Sequence, residues 1–336
     1  MNNINVWLPA IKTGSGSDIF TIRLRDGLVK NKVNAVISWF KHFNELAPKL
    51  INARIPKNTD VIVANSWNAF AFKHHSIPLV SVVHHCVHMS EFEIYKNRLQ
   101  RYYHKFIIYD YEKRAFEKSD AIVAVSNFTA ESYKKIFDIH KINVIHNWVN
   151  IDEFCLPTGM NHIPNSKQLA FVGNWTLRKG VDLLPDIMGQ LGNDYKLICS
   201  NGLSGRRLTK KLPNNILFLE ASLKTDSIVS LYQSTSLLLF PSRLEGFGYA
   251  ALEAQACGRP VVATRASALP EVVANGMTGL LCNINDVDGF VIAIREILGN
   301  NNMLVEMSIA ARKRAVEKFS EQIAIKKYID LFQSLI

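Results

Sequence analysis

The chain has 336 residues, of which 48% are hydrophobic and 20% are charged, and this composition excludes a disordered or low-complexity protein. A single hydrophobic core rarely grows to this size, so two domains of about 150 residues each are expected. The formal net charge of +10 favours a phosphorylated ligand, nucleic acid or an anionic membrane as partner, and charge alone does not choose among them.

The N-terminal residues lack the basic start and apolar stretch of a signal peptide, and no apolar run approaches the roughly 18 residues that span a bilayer. We therefore expect a cytoplasmic protein. The cysteines are odd in number and scattered without a CxxC pair, which argues against a disulfide framework and a zinc site. They are Cys86, Cys155, Cys199, Cys257 and Cys282.

Short apolar runs in the first half alternate with helix-length amphipathic segments and predict strands. They are residues 4–8, 34–40, 60–66, 78–85, 121–126 and 142–147. Nearly continuous apolar strands separated by helices predict a parallel sheet that is covered on both faces.

A glycine-containing segment follows the first predicted strand and opens an amphipathic helix. Gly14, Ser15 and Gly16 would let backbone N–H groups approach an anion at the helix N-terminus, which suits a phosphate. The segment matches neither GxGxxG nor a Walker A loop, and a plain tight turn is an equal alternative.

Three histidines, His84, His85 and His88, follow the fourth predicted strand. Neighbouring strand residues point in opposite directions and no acidic ligand accompanies these histidines in the sequence, so a metal site is not favoured. One of His84 and His85 would reach the ligand as a hydrogen-bond donor, and a buried structural role is the equal alternative.

The segment KNRLQRYYHKF interleaves cations with aromatic side chains. The simpler interpretation is a solvated helix face with the aromatic rings packed inward, and the alternative is a patch that binds an anionic membrane surface. The residues of that patch would be Lys96, Arg98, Arg101, Lys105, Tyr102, Tyr103 and Phe106.

Residues 156–168 contain prolines and a glycine without periodicity and predict a linker, after which a second series of strands begins. Its strands are predicted at residues 169–174, 195–201, 215–220, 236–242, 260–265 and 278–282, with three helices from about residue 286. Ligands of such sheets bind at the carboxyl ends of the strands, so two facing domains would enclose a cleft there.

Two loops of the second series carry candidate phosphate ligands. Asn174, Arg178 and Lys179 lie between a strand and a helical segment. A helix N-terminus favours anions and opposes cations, so two cations beside it are expected if a diphosphate lies between. Asn201 and Gly202 stand at the mouth of the next glycine loop.

The stretch PSRLEGFGYAALEAQACG places Glu245 and Glu253 eight positions apart around a turn formed by residues Gly246, Phe247 and Gly248. A carboxylate accepts hydrogen bonds through two oxygens and so matches a vicinal diol. Two carboxylates predict two diols, one on a ribose and one on a sugar. Alternatively, Glu245 complements the helix dipole and Glu253 is a solvated helix residue.

This stretch, together with LPEVVANGMTGLL, resembles the C-terminal signature of family 4 retaining glycosyltransferases, including the E-x7-E pattern. The resemblance extends through the RKG segment at 178–180, Ser126 and HNWVNIDEF at 146–154. It implies the α/β GT-B fold of two facing Rossmann-like domains. We expect an acceptor-binding domain at 1–155, a nucleotide-sugar-binding domain at 165–318 and a C-terminal helix at 319–336 that packs back on the first domain.

The resemblance also implies a function: a retaining hexosyltransferase that needs no metal or cofactor and moves a sugar from a nucleotide-sugar donor to a glycan or lipid-linked glycan, in cell-surface polysaccharide assembly. In the family, the residue matching Glu253 binds the ribose, that matching Glu245 approaches the donor sugar, and that matching Lys179 binds the diphosphate. We add Arg178, His84 and His85 to the expected catalytic residues. The enzyme would be cytoplasmic or attached to the inner face of the membrane.

Two positions depart from the family pattern. Asn174 stands where an arginine is usual, and Trp148 replaces the glycine of the asparagine-glycine motif. We expect Arg178 to supply the missing charge beside Lys179, unless it points to solvent. Alternative functions are a nucleotide-sugar epimerase or a phosphorylase of related fold. A nucleic-acid-binding protein is disfavoured because the chain has no RNP-like motif or zinc finger.

Overall fold

The computed structural model describes residues 4–157, 166–200, 212–219 and 224–336. They form two compact units: Met1–Asn147 with Glu321–Ile336, and Trp148–Ser320.

The described part of the first unit contains a six-stranded sheet in the order β2-β1-β3-β4-β5-β6, with every neighbouring pair parallel. The strands are β1 Asn5–Ile11, β2 Asn34–Phe40, β3 Val61–Asn65, β4 Leu79–Val83, β5 Ala121–Ala124 and β6 Asn143–Val144. Every residue of β4 and β5 is buried, so both faces of the sheet are covered. The strands predicted from apolar runs in this half are confirmed.

Helices surround this sheet. They are α1 Gly16–Lys30, α2 Ser90–Glu93, α3 Arg98–Tyr102, α4 Tyr109–Lys118 and α5 Asn127–Phe137, with a π-helical segment at Tyr103–Ile108 between α3 and α4. Helix α1 begins after Ser15, whose side chain accepts a hydrogen bond from the Ser17 amide, and Asp18 lies in its first turn. Both features stabilise a helix N-terminus.

The described part of the second unit contains another six-stranded parallel sheet, in the order β12-β11-β10-β7-β8-β9. Its strands are β7 Gln168–Phe171, β8 Lys196–Cys199, β9 Ile216–Phe218, β10 Leu237–Phe240, β11 Val261–Thr264 and β12 Gly279–Cys282. The helices are α6 Leu184–Leu191, α7 Thr225–Ser234, α8 Tyr249–Ala256, α9 Leu269–Val272, α10 Val287–Gly299 and α11 Asn301–Phe319. The predicted succession of strand, turn, helix and strand around Glu245 is therefore confirmed.

The chain enters the second unit at Trp148, earlier than the predicted boundary at residue 155. Residues 148–155 join this unit because Trp148 and Phe154 bury their rings. Arg312 also donates hydrogen bonds to the carbonyl oxygens of Phe154 and Ile151, at 2.7 and 3.1 Å. The substituted Trp148 is thus a core residue of the second unit.

The last helix, α12 Glu321–Leu335, belongs to the first unit and packs against α1. A Cβ on Gly27 would lie 2.5 Å from the Cδ1 atom of Ile325, so the glycine permits the close approach of the two helices. Lys30 and Glu321 form an ion pair of 2.9 Å beside this contact. None of the described helices combines the length and hydropathy needed to cross a membrane.

Candidate active site

The loops that follow β7 and β10 meet at Gly180. This residue has a φ of +72°, and a Cβ placed on it would lie 2.1 Å from the carbonyl oxygen of Pro241. Only glycine fits this contact, because a side chain would be strained in the left-handed region and would also collide with backbone. The turn that carries Arg178 and Lys179 is therefore seated against the end of β10.

Hydrogen bonds join the two loops on either side of this contact. The guanidinium of Arg243 donates to both carboxylate oxygens of Asp182, each at 2.7 Å. The Arg243 amide donates to the Arg178 carbonyl oxygen at 2.9 Å. Paired arginine–carboxylate bonds fix geometry as well as adding energy. The Arg243–Asp182 pair, together with the bond from the Arg243 amide, therefore fixes the backbone of Arg178.

Glu245 lies at the centre of the site, and its carboxylate is buried. Lys179 Nζ lies 2.5 Å from its Oε1 atom, and Ser242 Oγ donates to the same oxygen at 2.6 Å. Arg178 Nη1 lies 3.9 Å from Oε2 and donates to the Leu244 carbonyl oxygen at 2.6 Å. The backbone amide of Glu245 donates to Ser267 Oγ at 2.9 Å. Two cations thus converge on one carboxylate.

The charges of this cluster depend on one another. Burial alone would raise the pKa of Glu245, but Lys179, Arg178 and the hydrogen bonds from Lys179 and Ser242 hold that pKa below its usual value. Burial and the charge of Arg178 lower the pKa of Lys179, while Glu245 opposes the change. With Glu245 ionised and both cations charged, the cluster carries one excess positive charge.

The turn after Glu245 leads into α8. Gly248 precedes the helix with a φ of +107°, and a Cβ there would lie 2.9 Å from a methyl carbon of Leu269. The ring of Phe247 is buried and packs edge-on against Tyr249 and Phe319, and its contact with a donor stays a prediction. Glu253 is half-buried in the second turn of α8.

The arginine of the RKG segment does not point to solvent, because its guanidinium is held by Leu244 and faces Glu245. Asn174, in contrast, is exposed. Asn201 and Gly202, which were also expected to contact the donor, lie outside the described residues.

The glycine turn before α1 uses its amides internally. The N–H groups of Thr13 and Gly14 donate to the Asp18 carboxylate at 3.0 and 2.7 Å, and Ser15 caps the helix. A carboxylate already bound to these amides would repel a phosphate. These bonds are those of a plain turn at Thr13 and Gly14, and the anion site at Gly14, Ser15 and Gly16 stays a prediction.

The histidines after β4 have separate surroundings. His84 packs edge-on against Phe20, and burial lowers its pKa to about 4, so it is neutral at pH 7. The ring of His85 lies 4.9 Å from that of Phe92. His88 Nε2 lies 2.7 Å from a carboxylate oxygen of Glu112, so an acidic residue distant in sequence does accompany these histidines. Within the described residues, no group of three or more histidine, cysteine, aspartate or glutamate side chains is arranged to hold a metal ion.

The basic segment around α3 differs from its prediction at two positions. Lys96 is only 6% exposed, and its ammonium donates to the Val87 carbonyl oxygen at 2.6 Å, so it is not a surface cation. Tyr103 is half-buried and its hydroxyl donates to the Glu45 carbonyl oxygen at 3.3 Å. Leu99, which was not singled out in the sequence, is 82% exposed. We call the exposed set the α3 patch: Arg98, Leu99, Arg101, Tyr102, Lys105 and Phe106.

Sequence reasoning missed the partners that hold the site together. Ser242 and Ser267 bind Glu245, and the Arg243–Asp182 pair holds the loops. Of these residues, Ser242 was the easiest to identify from the sequence, because it ends the predicted strand three positions before Glu245. Nothing in the sequence distinguishes Ser267 or Asp182 from ordinary loop residues.

Two family models together match most of the chain. The family of Glycosyl transferases group 1 matches residues 160–314, and Glycosyltransferase Family 4 matches residues 21–153. A curated relative is an uncharacterized glycosyltransferase of Methanocaldococcus jannaschii, which is 31% identical over 220 residues, or 65% of this chain. The aligned part of the chain spans 58% of the length of that relative.

Solved structures resemble the chain over nearly its whole length. Sucrose-phosphate synthase of Thermosynechococcus elongatus gives a TM-score of 0.79 at 17% identity and covers 98% of this chain and 99% of its own. Anabaena HepE, solved in complex with UDP-glucose, gives a TM-score of 0.75 at 18% identity, with the same coverage of 98% and 99%. These likenesses show the fold, which is the GT-B fold expected from the sequence. The two family matches show that the chain belongs to glycosyltransferase family 4.

Proposed function

We propose that the protein is a metal-independent retaining hexosyltransferase that moves a sugar from a nucleotide-sugar donor to a glycan or lipid-linked glycan, in the assembly of a cell-surface polysaccharide. The observation that supports this best is the cluster of the half-buried Arg178 and Lys179 around the buried Glu245, at the ends of the neighbouring strands β7 and β10. The UDP-glucose bound by Anabaena HepE supports a nucleotide-sugar donor.

The cluster suits a diphosphate because it carries one excess positive charge on a fixed framework. Arg178 and Lys179 come from a turn that is seated against β10 through Gly180. Such groups need no reorganisation when charge develops on a leaving group, which is the main source of electrostatic catalysis. Their role is to stabilise the nucleoside diphosphate as its bond to the sugar breaks and the sugar becomes oxocarbenium-like.

The two glutamates bind the two ends of the donor. Glu253 accepts hydrogen bonds from the ribose diol, and Glu245 approaches a hydroxyl of the donor sugar while balancing the charge of Lys179. An imidazole, His84 or His85, donates a hydrogen bond to the sugar. When attack and departure occur on one face, the leaving phosphate oxygen accepts the acceptor proton, so no general base, metal or cofactor is required.

The test is a donor screen followed by product analysis. Thermal shifts with UDP-, GDP- and ADP-sugars identify the donor, and transfer is then followed in the presence of EDTA with lipid-linked glycans. We expect transfer with retention of the anomeric configuration, measured by proton NMR of the product. Loss of transfer in EDTA or an inverted product would contradict the corresponding part of the proposal. Donor conversion without an acceptor would indicate an epimerase.

Attachment to an anionic membrane through the α3 patch would bring the enzyme to a lipid-linked acceptor. The patch combines three exposed cations with exposed apolar side chains. Tyr103, which lies between patch residues, and Tyr111 on α4 donate to the carbonyl oxygens of Glu45 and Leu46 and so bring residues 42–50, where more apolar side chains are exposed, beside the patch. Those side chains are Phe43, Leu46 and Leu50. Cations beside exposed apolar groups are the pattern expected of an interfacial surface.

Charge reversal tests this attachment. Each cation near an anionic surface adds about 1 kcal/mol, so Arg98→Glu, Arg101→Glu and Lys105→Glu together should weaken vesicle binding by at least about 100-fold. The measurement is co-sedimentation with phosphatidylglycerol-containing vesicles, with phosphatidylcholine vesicles for comparison. Reversal of Lys135 on α5 and of Lys326 and Lys327 on α12, three exposed cations of the same unit, is the matched control. Equal losses in the two sets would show that net charge alone, and not the patch, decides binding.

A further inference from the structure

A buried carboxylate in the first unit gathers three side-chain donors. Glu112 on α4 is 0% exposed. Its Oε1 atom accepts hydrogen bonds from Ser66 Oγ at 2.7 Å and from the Tyr133 hydroxyl at 2.6 Å, and its Oε2 atom lies 2.7 Å from His88 Nε2. A buried carboxylate is costly unless it is fully hydrogen-bonded, so this network depends on all of its members.

The donors come from separate elements that meet beneath the loop of residues 84–88. Ser66 directly follows β3, Tyr133 lies in α5, and His88 belongs to the loop itself. The Tyr133 hydroxyl also lies 3.3 Å from the His85 carbonyl oxygen. Glu112 therefore holds the loop directly through His88, and by accepting the one hydroxyl proton of Tyr133 it places that hydroxyl against the backbone of His85.

Two neighbours of the carboxylate have raised pKa values. Burial and the nearby charge of Glu112 raise the pKa of the Cys86 thiol to about 12. Burial and the same charge hold the pKa of Tyr133 well above its usual value, so its hydroxyl stays a donor. Lys96 donates to the carbonyl oxygen of Val87 and is a further anchor of the loop.

From this geometry we infer that Glu112 is a positioning residue: it fixes the loop of residues 84–88 and thereby sets the imidazoles of His84 and His85 for the transfer step. This inference rests on the proposed function for the role of His84 and His85 in sugar transfer, and on hydrogen bonds alone for the placement of the loop. Glu112 acts through the loop and does not itself contact the sugar.

The test uses the full chain with two substitutions of different severity. Glu112→Gln keeps the shape and removes the charge, and Tyr133→Phe removes only the hydroxyl that reaches Glu112 and His85. The matched control is Asp120→Asn, because Asp120 accepts from the Leu79 amide at 2.7 Å and from Lys73 at 2.6 Å at the opposite end of the same strand, β4. All three changes remove a polar tie of β4 or its loop.

We expect both network variants to shift the histidine ring signals of His84 and His85 in proton–carbon NMR spectra, and Asp120→Asn to leave them in place. We also expect kcat to fall at least about 10-fold in Glu112→Gln with a change of less than about 2-fold in the KM of the donor, and Asp120→Asn to keep its kcat. A purely structural role would lower the melting temperature of all three without this split.

Unchanged His84 and His85 signals in Glu112→Gln would overturn the inference. So would a kcat that falls equally in Asp120→Asn. If the wild-type chain transfers no sugar, the proposed function fails and the catalytic half of the inference fails with it, while the NMR comparison still decides whether Glu112 holds the loop.

Discussion

We expect Lys179→Ala to lower the free energy of unfolding at neutral pH by about 3 kcal/mol, the lower end of the range for a broken buried ion pair. The substitution leaves the Glu245 carboxylate buried with Ser242 Oγ at 2.6 Å and with Arg178 at 3.9 Å as its remaining cation. Urea unfolding followed by tryptophan fluorescence measures the change. Lys313, an exposed lysine paired with Glu317 at 3.9 Å on α11, is the control whose removal should have little effect.

The deficit should depend on pH. In the wild type the pKa of Glu245 lies below its usual 4.5, so its ionisation contributes stability above that value, and this contribution is lost as pH falls through the folded-state pKa. Without Lys179, burial becomes the dominant influence and raises the pKa of Glu245. Protonation then relieves the buried charge, so the difference between variant and wild type should shrink as pH falls toward about 5. A deficit that is constant over this range would contradict the ion-pair explanation.

A double-mutant cycle measures the interaction between Lys179 and Glu245 separately from the effect of each residue's other contacts. Glu245→Ala also destabilises the protein, because it leaves a buried ammonium. The double variant should be more stable than the sum of the single losses predicts, by at least about 1 kcal/mol. Additive losses would mean that the two side chains act independently.

The same lysine should matter for turnover. Loss of one preorganised electrostatic contact typically lowers kcat by about 100- to 1,000-fold. We expect the kcat of Lys179→Ala to fall by about 100-fold, because Arg178 remains. Arg178→Ala and Lys179→Ala should be non-additive, since the two cations share Glu245 and would share the diphosphate. Near-wild-type kinetics of Arg178→Ala would leave Lys179 and the start of α8 as the main phosphate-binding elements.

The fold was predictable because its signals are local. The central strands are short runs such as 236–242, apolar because both faces of the sheet are covered there, whereas the edge strand β2 has no buried residue. The extent of β1 was underestimated: it runs to Ile11, through Pro9 and Ala10, which carry little strand propensity of their own. The entry to the second unit at Trp148 was missed because it depends on Arg312, which is distant in sequence.

The site was predictable in its motifs but not in its pairings. Glu245 and Lys179 were identified separately, yet their direct ion pair joins residues 66 positions apart and follows only from the contact between Gly180 and Pro241. The environments of two further residues also depend on contacts that the sequence does not reveal. Lys96 looks like a surface cation until Val87 is seen to bind it, and Glu112 looks like an ordinary helix glutamate until three donors surround it.

With a UDP-sugar as the donor that the screen identifies, Glu253→Ala should weaken the binding of UDP, free or attached to any sugar, by about 10- to 150-fold. The physical reason is the loss of hydrogen bonds between the ribose and a charged group, worth about 1.5 to 3 kcal/mol. Glu245→Ala should instead lower turnover more than the affinity for free UDP. Glu296, which is exposed on α10 of the same unit, provides the matched control for loss of a helix glutamate.

The ligand can be changed in parallel with the protein, and this isolates the ribose contact. Wild-type protein should bind 2′-deoxy-UDP more weakly than UDP, because one hydroxyl of the diol is gone. Glu253→Ala should bind the two nucleotides nearly alike, since the carboxylate that distinguishes them is absent. Isothermal titration of both ligands against both proteins gives the coupling directly. If the variant still discriminates between the nucleotides as the wild type does, Glu253 does not bind the ribose, and its loss of affinity would have to arise from disturbance of α8.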